Sequence, residues 1–201
     1  TLDYKEYRFL HLISRAVKDM SEGEILQMRK SRKLDIDNET YYEIIRKKTA
    51  SLIATSMAMG AASVTKDDEV VERMFQIGLD AGIAFQIKDD IFDYQSKGLL
   101  GKPTGNDIKE KKITLPLLYI LNNCESGERH RILHLIKKKN KNQAKVKELV
   151  DLVVSRGGLE YASQIMNEFR EKAIAGIMEF PESEARTALI ELVNYSTTRQ
   201  K

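Results

Sequence analysis

One cysteine in 201 residues, Cys124, excludes an internal disulfide and any cysteine-rich zinc site, and fits a reducing compartment. Three prolines and 11 glycines leave little punctuation, and strand signals are almost missing. No apolar run approaches the roughly 18–20 residues of a membrane span, and the first residues lack a secretory core, so a soluble, cytoplasmic protein is expected. The charge is balanced as well. With 33 basic and 30 acidic residues, the net charge of +3 predicts no strong global attraction to nucleic acid or membrane. At 42% hydrophobic residues the chain can bury a substantial core, and a single helical domain over residues 1–201 is expected.

What is present is a set of carboxylates where apolar residues would be the simpler choice. Asp89, Asp90 and Asp93 interrupt the stretch Gly82-Ile-Ala-Phe-Gln-Ile-Lys-Asp-Asp-Ile-Phe-Asp-Tyr94. At about 100° per residue, Asp89 and Asp93 lie about 40° apart and share a face with Gln86, while Ile83, Ile87, Ile91 and Tyr94 form an adjoining apolar stripe. Like charges four residues apart cost roughly 0.2–0.5 kcal/mol in water, and partial burial raises that cost unless a cation intervenes. Magnesium takes one or two carboxylates and completes its shell with water and phosphate oxygens, so the cluster points to a phosphorylated ligand. A solvated acidic helix face is the alternative for such a string. The segment that follows, Leu99-Leu-Gly-Lys-Pro-Thr-Gly-Asn-Asp-Ile-Lys-Glu-Lys-Lys-Ile-Thr-Leu-Pro116, favours the ligand. Its glycines permit close backbone approach, and Lys102 and Lys112 carry the mobile ammonium groups that hold phosphate as point charges.

At these residues the sequence resembles the trans-prenyltransferases, the polyprenyl diphosphate synthase family. Phe85-Gln-Ile-Lys-Asp-Asp-Ile-Phe-Asp93 is similar to the family's second aspartate-rich motif, and Gly101-Lys-Pro-Thr-Gly-Asn-Asp107 with Lys112-Ile-Thr-Leu-Pro116 to the segment after it. Gly23-Glu24-Ile-Leu-Gln27 resembles the GExxQ element, and Lys48-Thr49-Ala50 the KT pair. The resemblance implies an all-α antiparallel bundle of the isoprenoid synthase type, incomplete at its N-terminus. It further implies magnesium held by Asp89, Asp90 and Asp93, with isopentenyl diphosphate and an allylic prenyl diphosphate as substrates. Lys48 is then expected on the allylic diphosphate with Lys102 and Lys112, Thr49 beside the developing carbocation, and the Gln86 amide oxygen near the reacting carbon. A homodimer is expected, as is typical of the family. Glu24 and Gln27 are candidates for substrate contact, although Ser21-Glu-Gly-Glu24 also reads as a capping box. Asp107 is expected to order the lysine-rich loop rather than approach a metal.

One departure stands out. Family members carry an earlier DDxxD motif on a facing helix and an arginine pair after it, and neither is in this chain. Asp35 with Asp37, and Asp67-Asp68-Glu69, precede helical patterns and read as helix starts. With Thr1 as the first residue, the chain is expected to be the C-terminal portion of a longer enzyme, inactive when isolated. A non-catalytic helical partner subunit is the competing reading. The run Lys137-Lys-Lys-Asn-Lys-Asn-Gln-Ala-Lys145 lacks interleaved aromatics and reads as a solvated turn, not a nucleic-acid surface. His130 and His134 lack a third metal ligand.

Helices are expected near 4 to 20, 21 to 32, 39 to 61, 68 to 96, 113 to 123, 128 to 139, 143 to 155, 158 to 179 and 182 to 197. Ala162, Ile165, Phe169, Ala173 and Ile177 form one core-facing stripe in the eighth.

Overall fold

Apolar periodicity and side-chain caps set the element order. The computed structural model describes residues 7–95 and 104–199. Among them the helices are α1 (Tyr7–Lys33), α2 (Asn38–Ile45), α3 (Ser51–Ala62), α4 (Asp68–Phe92), α5 (Asn106–Lys109), α6 (Leu115–Asn123), α7 (Ser126–Lys139), α8 (Gln143–Ser155), α9 (Gly158–Met178) and α10 (Glu184–Thr198). A π-helical turn, Arg46–Ala50, joins α2 to α3. No strand occurs among the described residues.

The expected aspartate starts are present. Asp37 accepts from the Thr40 N–H at 2.8 Å, and Asp67 from the Glu69 N–H at 2.9 Å, each satisfying a donor that the first helical turn leaves without a partner. Asn142 and Ser183 cap α8 and α10 in the same way.

Helix α4 is the central element, packed between α3 and α9. Its apolar stripe is buried as the sequence predicts, with Ile83, Ile87, Ile91 and Tyr94 all under 8% exposed. On the opposite side of the contact, the small residues of α3 permit a close crossing. A Cβ at Gly78 would fall 2.5 Å from the Ala54 Cα, so only glycine fits there. Leu115, Leu117 and Leu118 of α6 are fully buried beside α4, each contributing about 1.5–3 kcal/mol relative to exposure. On α9, Ala162, Ala173 and Ile177 are buried, and Ile165 and Phe169 pack against the core.

Three boundaries differ from expectation. The predicted break at residues 20 and 21 does not exist, because Ser21 donates back to the Val17 carbonyl inside a continuous α1. The segment predicted as one helix over 39–61 passes through the π turn. Helix α5 lies within the stretch expected to be an irregular loop. No helix among the described residues is long and apolar enough to cross a membrane.

Candidate active site

The C-terminal half of α4 meets the π turn, and that meeting builds the site. In the π turn the Ser51 N–H reaches back five residues to the Arg46 carbonyl, inserting an extra residue into the helical ladder. Such turns recur at functional sites because they re-aim side chains. Here the turn presents Lys48 and Thr49 to one cavity. The Lys48 ammonium stands 2.6 Å from the Gln27 amide oxygen and 2.6 Å from the Glu24 carboxylate, both on α1. Glu24 and Gln27 therefore orient a cation, and the capping-box reading of Ser21 to Glu24 fails because these residues are mid-helix.

Thr49 joins a hydrogen-bond chain that runs from half-buried side chains into the buried Tyr41–Asp90 pair. Its hydroxyl donates to the Gln86 amide oxygen at 2.7 Å, the Gln86 amide nitrogen donates to Asp90 at 2.9 Å, and the Tyr41 hydroxyl donates to the other Asp90 oxygen at 2.7 Å. Asp90 is 4% exposed. Burial, reinforced by the charge of Asp107, pushes its carboxyl up to about 7 despite the two hydrogen bonds. Burial and the Asp90 charge likewise push the Tyr41 phenol well above its usual range.

The other aspartates lie differently. Both oxygens of Asp93 accept backbone N–H groups at the start of α5, from Asn106 at 3.0 Å and Asp107 at 2.9 Å. Asp93 thereby fastens the short helix to the end of α4. Asp89 pairs with Arg199, whose guanidinium also lies over the Phe85 and Phe92 rings at 4.9 and 5.4 Å. Asp107 is raised to about 6, by burial first and the Asp93 charge second. Lys112 lies 2.5 Å from Glu110 and 3.8 Å from Asp107. Burial opposes its charge, yet the Glu110 hydrogen bond and the surrounding carboxylates leave its pKa raised.

Gln27, Lys48, Thr49, Gln86, the three aspartates and Lys112 line one cavity of about 360 Å³, with Ile36, Ile44, Ile45, Phe92 and Ile113 as its apolar wall. Glu24 lies at an adjoining cleft that also reaches Lys112. Among the described residues, no group of three or more His, Cys, Asp or Glu side chains converges as a metal cage.

The Polyprenyl synthetase family model matches residues 1–153. The chain belongs to the polyprenyl synthetase family. It is 34% identical over 192 residues to solanesyl diphosphate synthase 2 of Arabidopsis thaliana, covering 94% of this chain and 45% of that protein. It is 30% identical to heptaprenyl diphosphate synthase component 2 of Geobacillus stearothermophilus, covering 92% of this chain and 57% of that one. Among solved structures, a polyprenyl synthase from Caulobacter crescentus complexed with calcium and isoprenyl diphosphate superposes with a TM-score of 0.89 at 30% identity, over 100% of this chain and 61% of that chain. The chain thus spans about half the length of the curated relatives it matches, and it has the helical fold of prenyl synthases.

Of the expected site residues, Lys48, Thr49, Gln86 and Lys112 come together on this cavity, while Lys102 lies outside the described residues. Asp90, expected as a metal ligand, has one oxygen taken by Tyr41 and the other by Gln86. Neighbouring helical residues point about 100° apart, so Asp90 turns toward Tyr41 while Asp89 does not. Asp89 and Asp93 still fit a hard cation, which needs only one or two carboxylates, each with about four lone-pair sites. Tyr41 and Arg199 were not anticipated. Tyr41 reads as an ordinary core aromatic, and Arg199 follows the last periodic residue of α10, so neither carries a local signal.

Proposed function

We propose that the whole protein condenses isopentenyl diphosphate with an allylic prenyl diphosphate, head to tail, in isoprenoid biosynthesis. The observation that carries this reading is the convergence of two lysines, the Thr49–Gln86 pair and the aspartates on one apolar-walled cavity. The calcium and isoprenyl diphosphate bound to the Caulobacter relative support it. Lys48, held by Glu24 and Gln27, and Lys112 bind the diphosphate of the allylic substrate, with Lys102 assigned the same role. Asp89 and Asp93 would hold magnesium, which when bound neutralises diphosphate charge and helps it leave. Thr49 and Gln86 direct oxygen atoms toward the carbon where positive charge grows, a preorganised electrostatic stabilisation. Ile44, Ile45 and Phe92 exclude water from that carbon. The double bond of isopentenyl diphosphate then attacks the carbon, and the proton it loses passes to the diphosphate. No protein nucleophile is needed. We assign the working form as a cytoplasmic homodimer.

A second reading has one specific support, the word "component" in the name of the Geobacillus relative. In it this chain is a helical subunit that requires a different partner chain. Product analysis of the full-length protein with both diphosphates and magnesium separates the two. Product from the protein alone, lost in Asp89→Ala, supports the enzyme; product only after adding a second subunit supports the partner, and undiminished product from Asp89→Ala removes the proposed role of the aspartates.

A further inference from the structure

Asp90, like Asp93, has both oxygens engaged, but its partners are side chains and not the backbone N–H groups that hold Asp93. Both of its oxygens are engaged inside the core, one by the Tyr41 hydroxyl and one by the Gln86 amide nitrogen. A primary amide can present either its oxygen or its nitrogen to a neighbour, and the two ends carry opposite partial charge. At Asp90 both carboxyl oxygens act as acceptors, one from the Tyr41 hydroxyl and one from Gln86. Gln86 must therefore turn its nitrogen toward Asp90, and its oxygen then faces Thr49, whose hydroxyl donates to it. Tyr41 removes the remaining freedom, because it is 3% exposed and its hydroxyl proton goes to Asp90. Leaving a buried donor without an acceptor is costly, so the Tyr41 bond is kept and it fixes the carboxylate.

We propose that Tyr41 and Asp90 are positioning residues that set the direction of the Gln86 amide dipole, holding its oxygen toward Thr49 at the cavity wall, and that Asp90 is not a metal ligand. The inference rests on the proposed prenyl transfer for its consequence. A cation developing beside Thr49 and Gln86 is stabilised by an amide oxygen and opposed by an amide N–H. The orientation therefore decides whether Gln86 helps or hinders.

An exchange of partners tests this. In Asp90→Asn, Tyr41 still donates to the new amide oxygen, which turns the new amide nitrogen toward residue 86. Gln86 must then offer its oxygen to position 90 and its N–H to Thr49. Adding Gln86→Glu places an all-acceptor group at position 86, which accepts from the new amide at position 90 on one side and again from Thr49 on the other. In the full-length protein, the expected result for Asp90→Asn is a kcat lower by about tenfold or more, with KM for the allylic diphosphate and the magnesium concentration for half-activity changed by less than about threefold. The double variant recovers most of the lost kcat. A double variant as impaired as Asp90→Asn while still unfolding cooperatively overturns the proposal. So does an Asp90→Asn enzyme whose kcat returns to normal when magnesium is raised, since that is the behaviour of a lost ligand. Hydrogen exchange of the Gln86 side-chain amide, read by 15N NMR without substrate, is independent of turnover. Slow exchange in the wild type and faster exchange in Asp90→Asn are expected; equal exchange rates overturn the proposal even if the protein makes no prenyl product, whereas slow-to-fast exchange without product faults only the proposed function.

Discussion

Gly23 on α1 lies so close to the π turn that a Cβ added to it would stand 2.7 Å from the Lys48 backbone nitrogen. The contact sets the distance between α1 and the turn, and so lets Glu24 and Gln27 reach the Lys48 ammonium. Gly23→Ala must push the two elements apart. The expected cost is about 1–3 kcal/mol in denaturant unfolding, with weaker binding of an allylic diphosphate as the Lys48 contacts lengthen. Unchanged stability and affinity would contradict a packing role.

Glu24 and Gln27 both hold Lys48, so removing one should leave the other in place. Glu24→Gln is expected to change stability by less than about 1 kcal/mol, since the pair is partly exposed, and to raise KM for the allylic diphosphate modestly. Lys48→Met is expected to raise KM by about tenfold or more. Steady-state kinetics on the full-length protein distinguishes the two.

Arg199 lies against Asp89 and over Phe85 and Phe92. Arg199→Ala is expected to cost about 1 kcal/mol through lost ring contacts, and to lower the magnesium concentration needed for half-activity because Asp89 loses a competing cation. A rise in that concentration instead would mean that Arg199 supports the carboxylate as a ligand.

Asp90 and Asp107 have folded pKa values raised to about 7 and about 6 from an ordinary 3.8. Between those limits the folded protein binds more protons than the unfolded chain. Their contribution is therefore fully present below pH 3.8 and is lost as pH rises through 6 and 7. In the presence of a chelator, stability attributable to these groups should fall by up to a few kcal/mol as pH is raised through that window. Asp90→Asn should flatten the decline, and urea unfolding across pH measures it.

Much of this arrangement is legible in the sequence, because helix faces follow from spacing. The buried stripe of Ile83, Ile87, Ile91 and Tyr94, and the caps at Asp37 and Asp67, come from local rules that tertiary packing did not override. What the sequence misplaced depends on contacts between distant segments. Ser21-Glu-Gly-Glu24 reads as a helix start, yet α1 runs through it, and Gly23 leaves the space that the distant π turn occupies. Tyr41 meets Asp90 across 49 positions and Arg199 meets Asp89 across 110, separations at which no periodicity carries information. Asp89 and Asp90 look equivalent in the string, and only the rotation of α4 against Tyr41 separates the carboxylate that meets Arg199 from the one that meets Tyr41 and Gln86.

The central claim is that this cavity grips a diphosphate through magnesium and lysine together, and calorimetric titration of an allylic diphosphate into the full-length protein tests it most directly. The account expects binding that requires magnesium and weakens by about tenfold or more in both Lys48→Met and Asp89→Ala. Equal binding with the metal chelated, or undiminished binding by both variants, would contradict it.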